Sequence, residues 1–312
     1  MKAIIVFLTT GIVLWILQVH ARSSRNRDGL QLIARAWVAT YQERHLRIPP
    51  RGPRDGVSLE KSLPRSQKPF GSHENPMSIP GVLEVNSQGL QFAVSPPNPK
   101  ARLLIVGASV AFAQYATTTD RTYFNQLSRH LMGKGHAIQI LVLATRSWTS
   151  DQELAAFRNM GLSLKPDFVL FLDGLNDLTQ YSQLPEQERV ANYLQRMRTA
   201  RDLAMANHIQ VIFCPQPFLP QKKVKSPLEE AILRVYAGPF QSIGSLIADN
   251  QAMRQGLREM TVPNKVWVMD CSGVFDDETY TTFTDIWHFT DVGQAILGEF
   301  MAKKLAPFLS RR

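Results

Sequence analysis

The chain has 312 residues, of which 44% are hydrophobic and 20% charged, an ordinary globular composition that fits one large domain with appendages or two small domains. The net charge of +9 is unevenly spread. Residues 22–68 hold eleven Lys/Arg against four Asp/Glu, and the rest of the chain is close to neutral, with no basic helix stripe and no basic-aromatic platform, which argues against a nucleic-acid partner.

In chain order, the first feature is AIIVFLTTGIVLWILQV, residues 3–19, an uncharged run at the short end for a membrane span and long for a signal-peptide core. Residues 1–21 are therefore expected to be a membrane anchor or signal segment, with cleavage near Ala21 as the alternative. One Lys precedes the run while Arg22, Arg25 and Arg27 follow it, which by charge alone favours a cytoplasmic C-terminal side. Residues 22–99 read as a basic, Pro/Gly-rich juxtamembrane and linker region, with helical spacing in LQLIARAWVATYQERHL and a short strand or hairpin within residues 83–94. Its charge suits a solvated segment beside a membrane, and an anionic lipid or acidic glycan is a lesser alternative.

From residue 100 to 312 the rhythm is that of one domain. Strands are expected at RLLIVG, AIQILVLA, DFVLFLD, IQVIFCP and VWVMD. Helices are expected over about 120–133, 151–163, 186–207, 226–260 and 291–305, the last ending just before Pro307. Strands alternating with helices make a parallel sheet covered on both faces, and the strands lack polar alternation, as double burial requires. Cys214 and Cys271 each follow an apolar run and come close if those strands are neighbours; two unpaired thiols near strand ends are the simpler expectation.

In such sheets ligands bind beyond the carboxyl ends of the strands, and the polar groups gather there. The first strand ends in Gly107-Ala108-Ser109, where glycine permits a sharp turn and the serine can face a cleft. The third ends in Asp173-Gly174-Leu175-Asn176-Asp177, turn residues that are also candidate donors and acceptors. The last helix is preceded by Asp285 and His288, three apart. Nucleophilic acyl chemistry needs these parts: a hydroxyl nucleophile, a histidine base, a carboxylate that fixes the imidazole tautomer, and donors for the developing oxyanion. Ser109, His288 and Asp285 are candidates for the first three roles and the Asn176 amide for the fourth. Each also has a plain structural reading: a turn serine, a satisfied histidine beside Trp287, helix caps at Asp285, Thr290 and Asp291, and an Asp177 bonded within its own loop.

Taken together, G-A-S at 107–109, the second strand and loop at 138–152, G-L-N-D at 174–177 and D-I-W-H at 285–288, followed by F-T-D-x-G, resemble the SGNH or GDSL-like hydrolase superfamily over about residues 100–308. VNSQGLQF with KPDFVLFLDGLND resembles a membrane-anchored bacterial branch that is commonly exported and associated with the cell envelope or surface polysaccharide. The resemblance implies a flavodoxin-like three-layer α/β/α sandwich with a central parallel sheet of about five strands, preceded by the N-terminal membrane helix and linker. It implies Ser109 as nucleophile and first oxyanion donor, Asn176 as side-chain donor, His288 as base and Asp285 as its partner, with Gly107, Gly174 and Asp177 in support. The superfamily's further donor is usually a glycine after the second strand. Here that loop is LATRSWTSDQEL, and Ser147 takes the position, with Ala108 where the superfamily usually has Asp.

The function so implied is a serine esterase or deacetylase acting on O-acyl groups, of an envelope or extracellular polysaccharide, with an acylated glycan or small ester as partner and a periplasmic or extracellular catalytic domain. An acyltransferase with the same triad, and a non-catalytic envelope assembly protein retaining the fold, are the alternatives; an intact triad favours an enzyme. A lipase or thioesterase would use Trp148, Phe112 and Trp287 to hold an apolar acyl chain, if these are not core. No cofactor is expected: the sequence has neither a P-loop nor a dinucleotide fingerprint, and His130 and His208 lack neighbours at metal-ligand spacing.

Overall fold

Apolar runs that are buried on both sides make the centre of this protein. The computed structural model describes strand residues 65–68, 71–74 and 77–79, and then residues 83–181, 183–236 and 243–310. The apolar run at 3–19 lies outside them, and among the described residues no helix is long and apolar enough to cross a membrane. Short strands β1 (Arg65–Lys68), β2 (Gly71–Glu74), β3 (Met77–Ile79) and β4 (Leu83–Val85) form two antiparallel pairs, β1 with β2 and β3 with β4. The short strand or hairpin expected within 83–94 is two strands, β4 and β5 (Gln91–Phe92), joined by a turn closed by Asn86. They pair with β3 and with the strand Ile138–Ala144, respectively, rather than with each other.

The main sheet contains β5, β6 (Ala101–Gly107), β7 (Ile138–Ala144), β8 (Phe168–Asp173), β9 (Gln210–Pro215) and β10 (Val266–Val268), in the order β10-β9-β8-β6-β7-β5. All neighbours are parallel except β5, which runs antiparallel to β7 at the edge. Numbered by themselves, the five parallel strands follow the order 2-1-3-4-5 of a flavodoxin-like doubly wound sheet. That order reverses beside β6, and ligands of such sheets bind at this switch point, beyond the carboxyl end of the strand, where Ser109 follows.

Side chains along β6 alternate between two cores. Leu103 and Ile105 pack with Phe124, Leu127 and Leu131 of α1 (Tyr123–Gly133) and Leu297, Met301 and Leu305 of α7 (Asp291–Leu309). Leu104 and Val106 face the opposite layer. It is built from α2 (Ser150–Ala156), α4 (Glu186–Ala206) and α6 (Ile243–Arg258), through Ala156, Tyr193, Met197, Met253 and Leu257. α3 (Leu175–Gln180) joins this layer through Leu175 and Leu178, whereas α5 (Pro227–Tyr236) packs Ile232 into the first core.

Three boundaries differ from expectation. The helical pattern over 151–163 is a short α2 followed by a π turn, Phe157–Gly161. The pattern over 226–260 is two helices, α5 and α6. The last helix continues through Pro307 to Leu309 because proline, lacking an N–H, forfeits a single bond in the final turn, while Ser310 N–H still donates to the Ala306 carbonyl at 3.1 Å.

Candidate functional site

β6 ends at a glycine for a steric reason: a Cβ on Gly107 would stand 2.3 Å from the Leu172 carbonyl oxygen and 2.6 Å from Ala111 Cβ. The chain can therefore turn sharply, and Ser109 emerges half-buried in the turn that follows. Its Oγ lies 2.8 Å from Nε2 of His288. Nδ1 of the same ring lies 2.8 Å from Oδ2 of Asp285 and 3.0 Å from Oδ1. A carboxylate only accepts, so Nδ1 carries the proton and Nε2 is left to accept from the serine hydroxyl.

Asp285 is fully buried, and its Oδ1 also accepts the backbone N–H groups of Trp287 and His288, both at 2.8 Å. These bonds orient the carboxylate, so it is not a cap of α7. That role belongs to Thr290, whose Oγ1 accepts from Gly293 N–H at 3.1 Å. Asp291 is not a cap either. It accepts from Thr117 N–H at 2.9 Å and Thr117 Oγ1 at 2.5 Å, tying the start of α7 to the segment after Ser109. Tyr115, in that segment, has φ +71°, a conformation rare for a bulky residue, and its ring meets the His288 imidazole edge-to-face at 5.0 Å.

Facing this group is the loop after β7. Trp148 N–H donates to Thr145 O at 3.2 Å, closing a turn in which Ser147 takes φ +66° and is exposed. Ser147 thus occupies the left-handed backbone that favours glycine. The loop is latched to α3 by three contacts. Asn176 Nδ2 donates to Trp148 O at 2.7 Å, which leaves the second amide hydrogen for another acceptor. Gln180 Nε2 donates to Ser147 O at 2.7 Å. Asp177 accepts from Ser150 N–H at 2.9 Å and Ser150 Oγ at 2.5 Å, with Arg196 at 3.2 Å, so it bonds across to the neighbouring loop and not within its own. Gly174, at φ +112°, makes the turn from β8 into α3 that a side-chain-bearing residue would strain.

Behind these latches sits a buried acidic group. Burial raises the Asp177 carboxyl to about 7, against the pull of its Ser150 hydrogen bond. Burial likewise pushes Asp173 up and Glu153 well up, the charges of Asp173 and Asp177 adding to the push on Glu153. Tyr193 Oη donates to Asp173 at 2.9 Å. Glu153 and Tyr193 carried no signal as isolated residues; the acid that ends β8, Asp173, was the visible clue.

The structure joins Ser109, His288 and Asp285 by hydrogen bonds, and it latches the loop of Ser147 to Asn176 at the ends of β7 and β8, the two strands that flank β6. It separates the aromatic candidates. Phe112 is packed in the α1/α7 core and Trp148 in the opposite one, both buried, so neither is free to line a cleft. Trp287 is half-buried and stacks on Phe218 at 5.9 Å. Cys214 and Cys271 are buried free thiols with sulfurs 2.8 Å apart. Among the described residues no group of three or more His, Cys, Asp and Glu is arranged to hold a metal ion.

Comparison with solved structures shows the same fold. The lipase Lip_vut3 from a goat rumen metagenome is 14% identical, with a TM-score of 0.52 over 67% of this chain and 98% of that one. The lipase/acylhydrolase from Enterococcus faecalis is 16% identical, with a TM-score of 0.50 over 66% of this chain and 96% of that one. No curated protein matches the chain. The GDSL-like Lipase/Acylhydrolase family matches residues 105–296, and the chain belongs to that family as an ester-hydrolysing serine hydrolase of the SGNH superfamily.

Proposed function

We propose that Ser109, His288 and Asp285 are the catalytic triad of a serine esterase that works by double displacement. One observation carries this reading: the unbroken relay from Ser109 Oγ through both ring nitrogens to Asp285, with a 2.8 Å contact on each side of the imidazole. His288 Nε2 takes the hydroxyl proton as Ser109 Oγ attacks the ester carbonyl carbon. The tetrahedral oxyanion is met by the N–H of Ser109, the free Nδ2 hydrogen of Asn176 and the N–H of Ser147. Collapse expels the alcohol, which leaves with the proton from His288, and the acyl group stays on Ser109. Water, deprotonated by the same nitrogen, then attacks the acyl-serine and releases the acid.

The substrate we propose is an O-acyl group, in particular an O-acetyl group, on an envelope or extracellular polysaccharide. The support is the resemblance of VNSQGLQF and KPDFVLFLDGLND to an exported envelope branch, which outweighs the flanking charge for the orientation, and the apolar run at 3–19, which suits a membrane tether.

Hydrolysis of p-nitrophenyl acetate by the full-length protein, wild type beside Ser109→Ala, tests the chemistry. Turnover should fall by roughly 10⁴-fold or more in the variant. A variant that keeps most of the wild-type rate would remove Ser109 as nucleophile. Acetate release from O-acetylated glycans, compared with the same glycans after chemical deacetylation, then tests the substrate class.

A further inference from the structure

The loop bearing Asp285 and His288 is a narrow excursion closed at its base. Phe283 and Phe289 bridge across it, Thr284 N–H donates to His288 O at 2.8 Å, and Thr290 N–H donates to Thr282 O at 2.9 Å. Below that base lies Glu229, in the first turn of α5 and fully buried. Its Oε1 accepts from Thr282 N–H at 2.8 Å, Thr282 Oγ1 at 2.9 Å and Phe283 N–H at 3.3 Å. Its Oε2 accepts from Ser226 N–H at 2.8 Å and from the buried ammonium of Lys222 at 2.7 Å. Lys222 Nζ in turn donates to Tyr280 O at 2.9 Å.

The same segment after β9 also grips the tip of the loop. Leu219 N–H donates to Ile286 O at 3.1 Å, and Gln216 Nε2 donates to Trp287 O at 3.1 Å. Gln216, Leu219, Lys222, Ser226 and Glu229 therefore seat the loop on both sides of Asp285 and directly before His288, through bonds none of which goes to the serine or the imidazole. A buried ion pair contributes little net stability over an apolar pair of the same shape, because both charges are taken out of water. What it supplies here is direction: five hydrogen bonds converge on one carboxylate, and three of them come from the two residues that begin the triad loop.

We infer that Glu229 is a positioning residue for the Asp285–His288 pair. Held by Lys222 and Ser226, it fixes the loop base so that Nε2 stands within hydrogen-bond reach of Ser109. The inference rests on the reading of these three residues as the triad. Displacing a reacting pair by an ångström or so costs on the order of 10²-fold in rate even when the change lies away from the chemistry.

The test uses the full-length protein with Glu229→Gln, which keeps one oxygen acceptor but cannot satisfy both Lys222 and the loop. The kcat for p-nitrophenyl acetate should fall about 10–100-fold with KM within about twofold. The proton NMR signal of the His288 Nδ1–H, present in the wild type, should broaden or vanish. Thr282→Val, which removes one loop donor to Glu229, should lower kcat about threefold to tenfold and weaken the same signal, and Thr282→Ser should restore both. Lys223→Ala, at an exposed ion pair on the same segment, should leave them unchanged. Wild-type kcat in folded Glu229→Gln, or a lost rate with an unchanged Nδ1–H signal, overturns the inference. So does a wild type without that signal. If Glu229→Gln does not fold, the Thr282 pair decides, and an unchanged Thr282→Val overturns it. If the wild type hydrolyses nothing but its signal is lost in Glu229→Gln, the positioning role stands and the esterase reading fails.

Discussion

Asp285 and Asp177 are both buried carboxylates at the ends of the same sheet, yet they are held in opposite ways. Asp285 accepts two backbone N–H groups and the imidazole within one short loop, a full set of donors for a charge that the site uses. Asp177 has Ser150 and the partly exposed Arg196 on one side and the acids Asp173 and Glu153 on the other, and burial wins, raising it to about 7. The backbone follows the same division. Left-handed residues flank both halves, but on the Asn176 side one of them, Ser147, is itself a proposed donor. The Asp285–His288 pair is thus built as a local unit, although it meets Ser109 across 179 residues, and the oxyanion half joins the loops after β7 and β8 through acids that resist ionisation.

The largest test of this contrast is Asn176→Ala. It removes both the proposed oxyanion donor and the latch to Trp148 O, and kcat for p-nitrophenyl acetate should fall roughly 10²–10³-fold. The relay from Ser109 to Asp285 does not pass through Asn176, so labelling of Ser109 by a fluorophosphonate should slow less than turnover does. A turnover loss below about tenfold would take Asn176 out of the oxyanion role.

A smaller effect concerns pH. Because Asp177 is raised to about 7 in the folded protein, the folded chain keeps a proton that the unfolded chain releases from about pH 4 upward. This group therefore favours the folded state most at low pH, and that contribution is lost as pH rises through about 7. Glu153 and Asp173, also raised, act in the same direction. Asp177→Asn mimics the neutral acid, so its melting temperature should fall less between pH 5 and pH 8 than that of the wild type. Equal falls in thermal melts at the two pH values would show that Asp177 is not among the titrating groups.

The same division explains what the sequence made legible. The five parallel strands were visible because burial on both faces leaves uninterrupted apolar runs, as in FVLFLD. Asp285 and His288 were visible because their partnership is local, three residues apart. The latch between Asp177 and Ser150 spans 27 residues and the Thr117–Asp291 tie spans 174, so no periodicity or spacing announces either. Phe112 and Trp148 look like cleft residues because they adjoin motif residues, but each follows its chain into a core. α3 is six residues long, too short for a pattern to register. Tyr115 and Ser147 hold positive φ without being glycine, and such positions are invisible until the backbone is seen.

Ser147 gives the finest probe of the oxyanion half. At φ +66° an L-residue bears a local cost of roughly 1 kcal/mol, which glycine avoids, although glycine also gives the unfolded chain more freedom to lose. Ser147→Gly should therefore leave stability unchanged or raise it by up to about 1 kcal/mol, a shift of a few degrees at most in a thermal melt. It keeps the backbone N–H, so kcat should stay within about twofold of wild type if that N–H is the donor. A tenfold loss would instead assign the work to the Ser147 hydroxyl, the one polar group the substitution removes, from an exposed position. The strained backbone would then be there to aim a side chain, and the oxyanion half would differ in kind, not only in residue type, from one built on glycine.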